Sequence, residues 1–89
     1  MNVTFDPAKS AANAAKHGVS LAIASELDWE SALLWPDKRR DYGEQRICGL
    51  LPKDKRLYFV VFVERGESRR IISLRKANER EVQTYVENS

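Results

Sequence analysis

The spacing of apolar and polar positions changes along the chain from helical to alternating and back to helical. Asp6-Pro7 followed by the Ala-rich stretch Ala8–Ala15 predicts a first helix over Pro7–His17. Asp offers an acceptor to the free N–H groups and Pro tolerates the first helical position. Gly18 stops it, directly after Lys16-His17, whose positive charge suits the negative end of the helix dipole. Ser20 is placed to cap a second short helix through about Leu27, with Leu21, Ala24 and Leu27 along one face. Ala32-Leu33-Leu34-Trp35 is long enough for a brief strand ended by Pro36, and Asp37 to Glu44 has no period and reads as a loop.

Three strands are expected next. Gln45–Leu51 is the first, and the polar turn Pro52–Lys55 leads into Arg56–Glu64, which is rich in β-branched and aromatic residues. Arg65-Gly66 is a hairpin turn and Ser68–Arg75 the return strand. Regular alternation there sends Arg70, Ile72 and Leu74 to one face and Arg69, Ile71, Ser73 and Arg75 to the other, the more polar of the two. Asn78 followed three residues later by Glu81 forms a capping box for a last helix over about Glu79–Asn88, with Val82, Tyr85 and Val86 as its apolar stripe. The expected fold is α+β: two N-terminal helices, an antiparallel sheet of three to four strands, and one C-terminal helix. No repeat or linker interrupts it, and 89 residues suit one domain over 1–89.

Composition narrows the class. Hydrophobic residues make up 43% and charged residues 31%, too apolar for a disordered chain. The longest strongly apolar run, Leu57–Val63, is far shorter than the roughly 20 residues of a membrane helix. The N-terminus lacks the basic opening and apolar stretch of a secretory signal, so no membrane association and a cytoplasmic location are expected. Cys48 is the only cysteine, which excludes an internal disulfide and leaves it as a small core residue. The net charge is only +2, but it is unevenly spread: residues 1–37 sum to −3, residues 38–80 to +7 and residues 81–89 to −2. The basic middle is either a solvated surface or a face for an anion such as a phosphate backbone.

With no glycine-rich phosphate loop, no metal-ligand cluster and a single histidine, neither a metal nor a cofactor is expected, and a histidine pair within one chain is impossible. Cutting RNA without a metal requires a group to take the 2′-OH proton, one to protonate the leaving oxygen, and fixed positive charge at the phosphate. The run Arg69-Arg70-Ile71-Ile72-Ser73-Leu74-Arg75-Lys76 is the densest source of that charge, and a strand would hold it rigidly. The plainer alternative pairs Arg69 and Arg75 with Glu64 or Glu67 at the surface. His17, beside Lys16, is either an acid–base group or a cation satisfying a helix carbonyl. Glu44 and Arg46 flank the entry to the first long strand, Glu44 more as a pin for the loop and Arg46 in a shared role. Tyr42 either stacks on a base or fills the loop.

As a set, these residues resemble a known family. Asp6-Pro7-Ala8-Lys9, Asn13 and Lys16-His17-Gly18-Val19-Ser20 resemble the opening of the BrnT toxins. Tyr42-Gly43-Glu44 with Arg46 resembles their central motif, and Arg70-Ile71-Ile72-Ser73-Leu74-Arg75-Lys76-Ala77 with Glu81 and Tyr85 their C-terminal signature. Phe5, Leu21 and Leu74 stand where that family usually has Trp, Phe and Ala. The resemblance implies a RelE-like fold and a ribonuclease toxin that inhibits translation. It also implies neutralisation by a BrnA-like antitoxin, a ribbon-helix-helix DNA-binding protein, in a toxin–antitoxin hetero-oligomer. On this reading His17, Arg46, Arg70, Arg75 and Lys76 act in catalysis, while Lys16, Tyr42, Glu44, Arg69 and Ser73 bind the RNA substrate. Arg70 and Arg75 fall on opposite faces of a regular strand, so sharing a site requires a bulge or a terminal twist. The alternatives are a non-catalytic module whose basic face binds RNA or an acidic protein, and a small protein that dimerises through its apolar helix faces.

Overall fold

The computed structural model describes residues 2–39, 41 and 43–88. Strand β1 (Asn2–Thr4) precedes helix α1 (Pro7–His17). Two 3₁₀ helices follow, Leu21–Glu26 and Trp29–Ser31. Strands β2 (Leu33–Pro36), β3 (Ile47–Lys53), β4 (Arg56–Arg65) and β5 (Ser68–Lys76) lead to helix α2 (Glu79–Glu87).

Each helix start is set by the local chemistry expected of it. The Asp6 carboxylate accepts from Ala8 N–H, the Ser20 hydroxyl from Ala22 N–H, and Asn78 and Glu81 complete a reciprocal capping box. Gly18 ends α1 in the left-handed region, at φ 74°, with its N–H on Ala14 O. The segment after Ser20 is a 3₁₀ helix rather than the expected helical turns of an α-helix, and Asp28 caps a second one ahead of β2.

The α+β class holds, but the sheet corrects the expected three to four antiparallel strands. Among the described residues it has five strands in the order β1-β5-β4-β3-β2, and it is mixed because β1 runs parallel to β5. A three-residue strand is too short to show an alternating pattern, so β1 left no signal.

The sheet carries two apolar layers. One face packs Leu51, Val60, Phe62, Ile71 and Leu74 against Val19, Leu21, Ala24 and Leu27 of the 3₁₀ segment, with Trp29 edge-on to Phe62 at 5.2 Å. The other face groups Cys48, Leu50, Phe59 and Val61 with Leu33, Leu57, Ala77 and Tyr85, so α2 covers one part of it. The Tyr85 hydroxyl donates to Ser31 O at 2.7 Å and fixes that helix across the sheet. The rest of the expected stripe stays at the surface, with Val82 41% and Val86 64% exposed.

Helix α1 is anchored by polar groups. Its buried side chains are Ser10 and Asn13. The Ser10 hydroxyl accepts from Leu21 N–H at 3.0 Å and thereby ties α1 to the 3₁₀ helix. Asn13 lies against the outer edge of β5, beyond the point where β1 ends opposite Arg70. Its amide oxygen accepts from Leu74 N–H at 3.3 Å, and its nitrogen donates to Leu74 O and Val19 O, each at 2.7 Å. One side chain thus satisfies the backbone that a longer β1 would have paired.

Replacing Asn13 by Ala leaves these three buried backbone groups unmatched, and urea unfolding is expected to show a loss of about 2–4 kcal/mol. Asp at the same position keeps the acceptor but places a carboxylate beside two carbonyl oxygens, so it is expected to destabilise as well.

Candidate functional site

The register of β4 and β5 decides which charged side chains share a face. Val61 pairs with Ser73 and Phe62 with Ile71, so Ile72 has no residue opposite it. This one-residue bulge shifts the alternation and corrects the faces expected of a regular strand. Arg70 opposite Val63, Ser73 opposite Val61 and Arg75 opposite Phe59 all lie on the face that carries Cys48 and Leu50. Arg69 opposite Glu64, Leu74 opposite Val60 and Lys76 opposite Tyr58 lie on the other. Along β4 the attachment points of Arg70 and Arg75 are four residues apart, about 14 Å. They therefore bracket a stretch of surface and do not converge on one point.

At the β5 edge this face meets α1 beside Ser73. Lys9, Ala12, Asn13, Lys16 and His17 line a depression of about 220 Å³ together with Ile72 and Ser73. The structure thus brings Lys16, His17 and Ser73 together at the bulge, and it adds Lys9. Among the described residues no three His, Cys, Asp or Glu side chains gather as metal ligands would.

Arg75 is held firmly. Its two terminal nitrogens each donate to one oxygen of Glu81 at 2.8 Å, and its guanidinium lies 4.3 Å from the Phe59 ring centre. The partner is Glu81, not the Glu64 or Glu67 considered from sequence. This fork holds the Glu81 carboxyl below its ordinary value of 4.5, against the opposing effect of partial burial. Arg39 repeats the arrangement on the same ring. It forks onto the buried Asp37 carboxylate at 2.8 Å and 2.8 Å and lies 5.9 Å from the Phe59 centre. Burial pushes the adjacent Cys48 thiol up from 9.0, and the Asp37 charge adds to the rise.

Arg46 enters β3 from the loop, with its Nε on Glu44 at 3.3 Å, and Glu44 also accepts from Arg65 at 3.3 Å. Glu44 therefore ties the loop to the end of β4. Arg69 points away from this face, pairs with Glu64 at 3.5 Å and stacks 4.5 Å from the Trp29 ring centre. Tyr42 lies outside the described residues. The sequence does not single out Arg39, Asp37 and Phe59 as site residues. Asp37-Lys38-Arg39 carried a local charge signal, but nothing local tied it to an aromatic ring 20 residues on.

The sign of the Glu81 shift gives a testable pH dependence. A carboxyl whose folded-state value is depressed stabilises the fold above its unfolded value, and that contribution is lost as pH falls through the folded one. Acid unfolding below about pH 4.5 is therefore expected to be less steep for Glu81→Gln than for the parent chain, from a lower starting stability, as followed by circular dichroism.

Comparison with individual curated proteins finds no match to this sequence. Residues 5–81 match the family model described as the ribonuclease toxin, BrnT, of type II toxin-antitoxin system. That span takes in α1, the bulge on β5 and the Arg75–Glu81 fork, and the chain belongs to the BrnT family of ribonuclease toxins.

Proposed function

We propose that this chain is an endoribonuclease toxin that cuts RNA without a metal ion on the Arg70 face of its sheet. The observation that carries the reading is the bulge at Ile72, which sets Arg70 on the same face as Ser73, and Ser73 lines the depression with Lys16 and His17. His17 takes the 2′-OH proton, and the freed oxygen attacks phosphorus. The bond to the 5′ oxygen breaks, leaving a 2′,3′-cyclic phosphate and a 5′ hydroxyl that takes its proton from an ammonium donor of the depression, Lys16 or Lys9. Arg70 stabilises the charge that builds on the non-bridging oxygens. Arg46 and Arg75 extend the cationic surface to neighbouring phosphates, Arg75 chiefly as a brace that holds α2 through Glu81. Guanidinium and ammonium groups do here the neutralising work that a divalent ion does elsewhere, and they disfavour its entry.

Family membership supports the remaining parts of the reading. Cutting messages inhibits translation, the chain acts in the cytoplasm as one RelE-like unit over 1–89, and a BrnA-like ribbon-helix-helix antitoxin silences it by covering the cationic face.

Purified chain incubated with single-stranded RNA in EDTA is expected to give products with cyclic phosphate ends. Arg70→Ala is expected to lower the cleavage rate about 100-fold, the usual effect of removing one charge-stabilising donor. Arg80→Ala, exposed on α2, should leave the rate in place. RNA that stays intact but bound would assign the chain to the non-catalytic class, and activity that disappears with EDTA would overturn metal independence.

A further inference from the structure

Four cations cluster at the opposite end of the sheet from the β4–β5 hairpin, on the face turned away from Arg70. Asp54-Lys55 is the two-residue turn joining β3 and β4, with Asp54 in the left-handed region at φ 56°, and it sets Lys53 directly opposite Arg56. Two residues further along β4, Tyr58 pairs with Lys76 of β5. Alternation puts Arg56, Tyr58 and Lys76 on one face. Lys53, Asp54, Lys55, Arg56 and Tyr58 line a depression of about 600 Å³.

The charges there are not equivalent. Lys53 is occupied by Asp54 at 3.1 Å and Glu26 at 3.8 Å. Lys55, Arg56 and Lys76 are exposed, and among the described residues none of them has a carboxylate within ion-pair distance. Tyr58 is half-buried, its body against the core and its ring lining the depression. Unpaired cations arranged around an aromatic ring fit a single-stranded nucleic acid, with phosphates on the cations and a base against the ring. The position fits too, because Arg75 and Lys76 are consecutive and project to opposite faces. The end of β5 is thus the border between the Arg70 face and the second cluster.

We infer that Lys55, Arg56, Lys76 and Tyr58 form a second RNA-binding surface, which grips the substrate strand beyond the stretch held on the Arg70 face. This rests on the reading of the chain as an RNA-cleaving toxin and places Lys76 in substrate binding away from the scissile bond.

The test is the affinity for fluorescent single-stranded RNA oligonucleotides of about 4 and about 20 nucleotides, read by anisotropy over a range of salt. The longer oligonucleotide is expected to bind the parent chain at least about tenfold more tightly, through the extra phosphate contacts. The triple variant Lys55→Gln, Arg56→Gln, Lys76→Gln should lose that gain, with a salt dependence shallower by about 2 in logarithmic slope, at about 0.7 per lost contact. All three residues are exposed, and an unchanged thermal melt confirms the fold of the variant. A variant that keeps the parent's length gain and salt slope overturns the inference. So does a variant that keeps RNA affinity but loses affinity for polyglutamate, which would assign the surface to an acidic protein. If the parent chain binds RNA through these residues yet cuts none, the nuclease reading fails and this surface stands.

Discussion

The outer edge of β5 is the constraint on which the molecule depends. Nine residues long, it has β1 beside it only at Ser68, Arg69 and Arg70. The rest would expose unpaired backbone on a central element of the core, a costly state for any buried strand. At Leu74 the chain meets this with one amide: Asn13 bonds both the N–H and the C=O of Leu74 and holds Val19 as well. Because Asn13 sits on α1, the contact that satisfies β5 also presses Lys9, Lys16 and His17 against the strand beside Ile72 and Ser73. The residue that satisfies this edge is also part of the depression's wall.

The bulge at Ile72 then sorts the charges. Without it, Leu74 would share a face with Arg70, and Arg75 with Arg69. With it, Leu74 is fully buried on the face of Phe62, while Arg70, Ser73 and Arg75 lie together on the opposite one. The guanidinium groups differ in how they are spent. Arg39 and Arg75 are forked to carboxylates and stacked on Phe59, and Arg69 is stacked on Trp29. Such groups give rigidity more than net charge. Arg70 has no carboxylate partner among the described residues, which makes it the better source of unneutralised charge for a phosphate.

Features set by neighbouring residues were legible in the sequence. The caps at Asp6, Ser20 and Asn78, the stop at Gly18, the hairpin turn at Gly66 and the closing helix all follow from contacts within a few positions. The three residue groups that resemble BrnT toxins carried the family. Features set by distant partners were not legible. β1 is defined only by β5, 66 residues away in the Asn2–Ser68 pair, and the bulge only by the register with β4. Glu81 was visible as a capping residue, and it does cap α2. Its second role, holding Arg75, arises because the end of β5 and the first turn of α2 meet at an angle that no periodicity encodes. The polar anchoring of α1 was hidden for a related reason: Ser10 and Asn13 are buried because their partners are there, and hydrophobic pattern cannot register a satisfied polar group.

The register around Ile72 decides the account most directly, and nuclear Overhauser contacts between β4 and β5 in the free chain measure it. Cross-strand contacts linking Val61 with Ser73 and Phe62 with Ile71, with Ile72 facing neither, are the predicted result. An unbroken ladder that pairs Phe62 with Ile72 would return Arg70 and Arg75 to opposite faces and contradict the cationic surface from which the proposed chemistry is built.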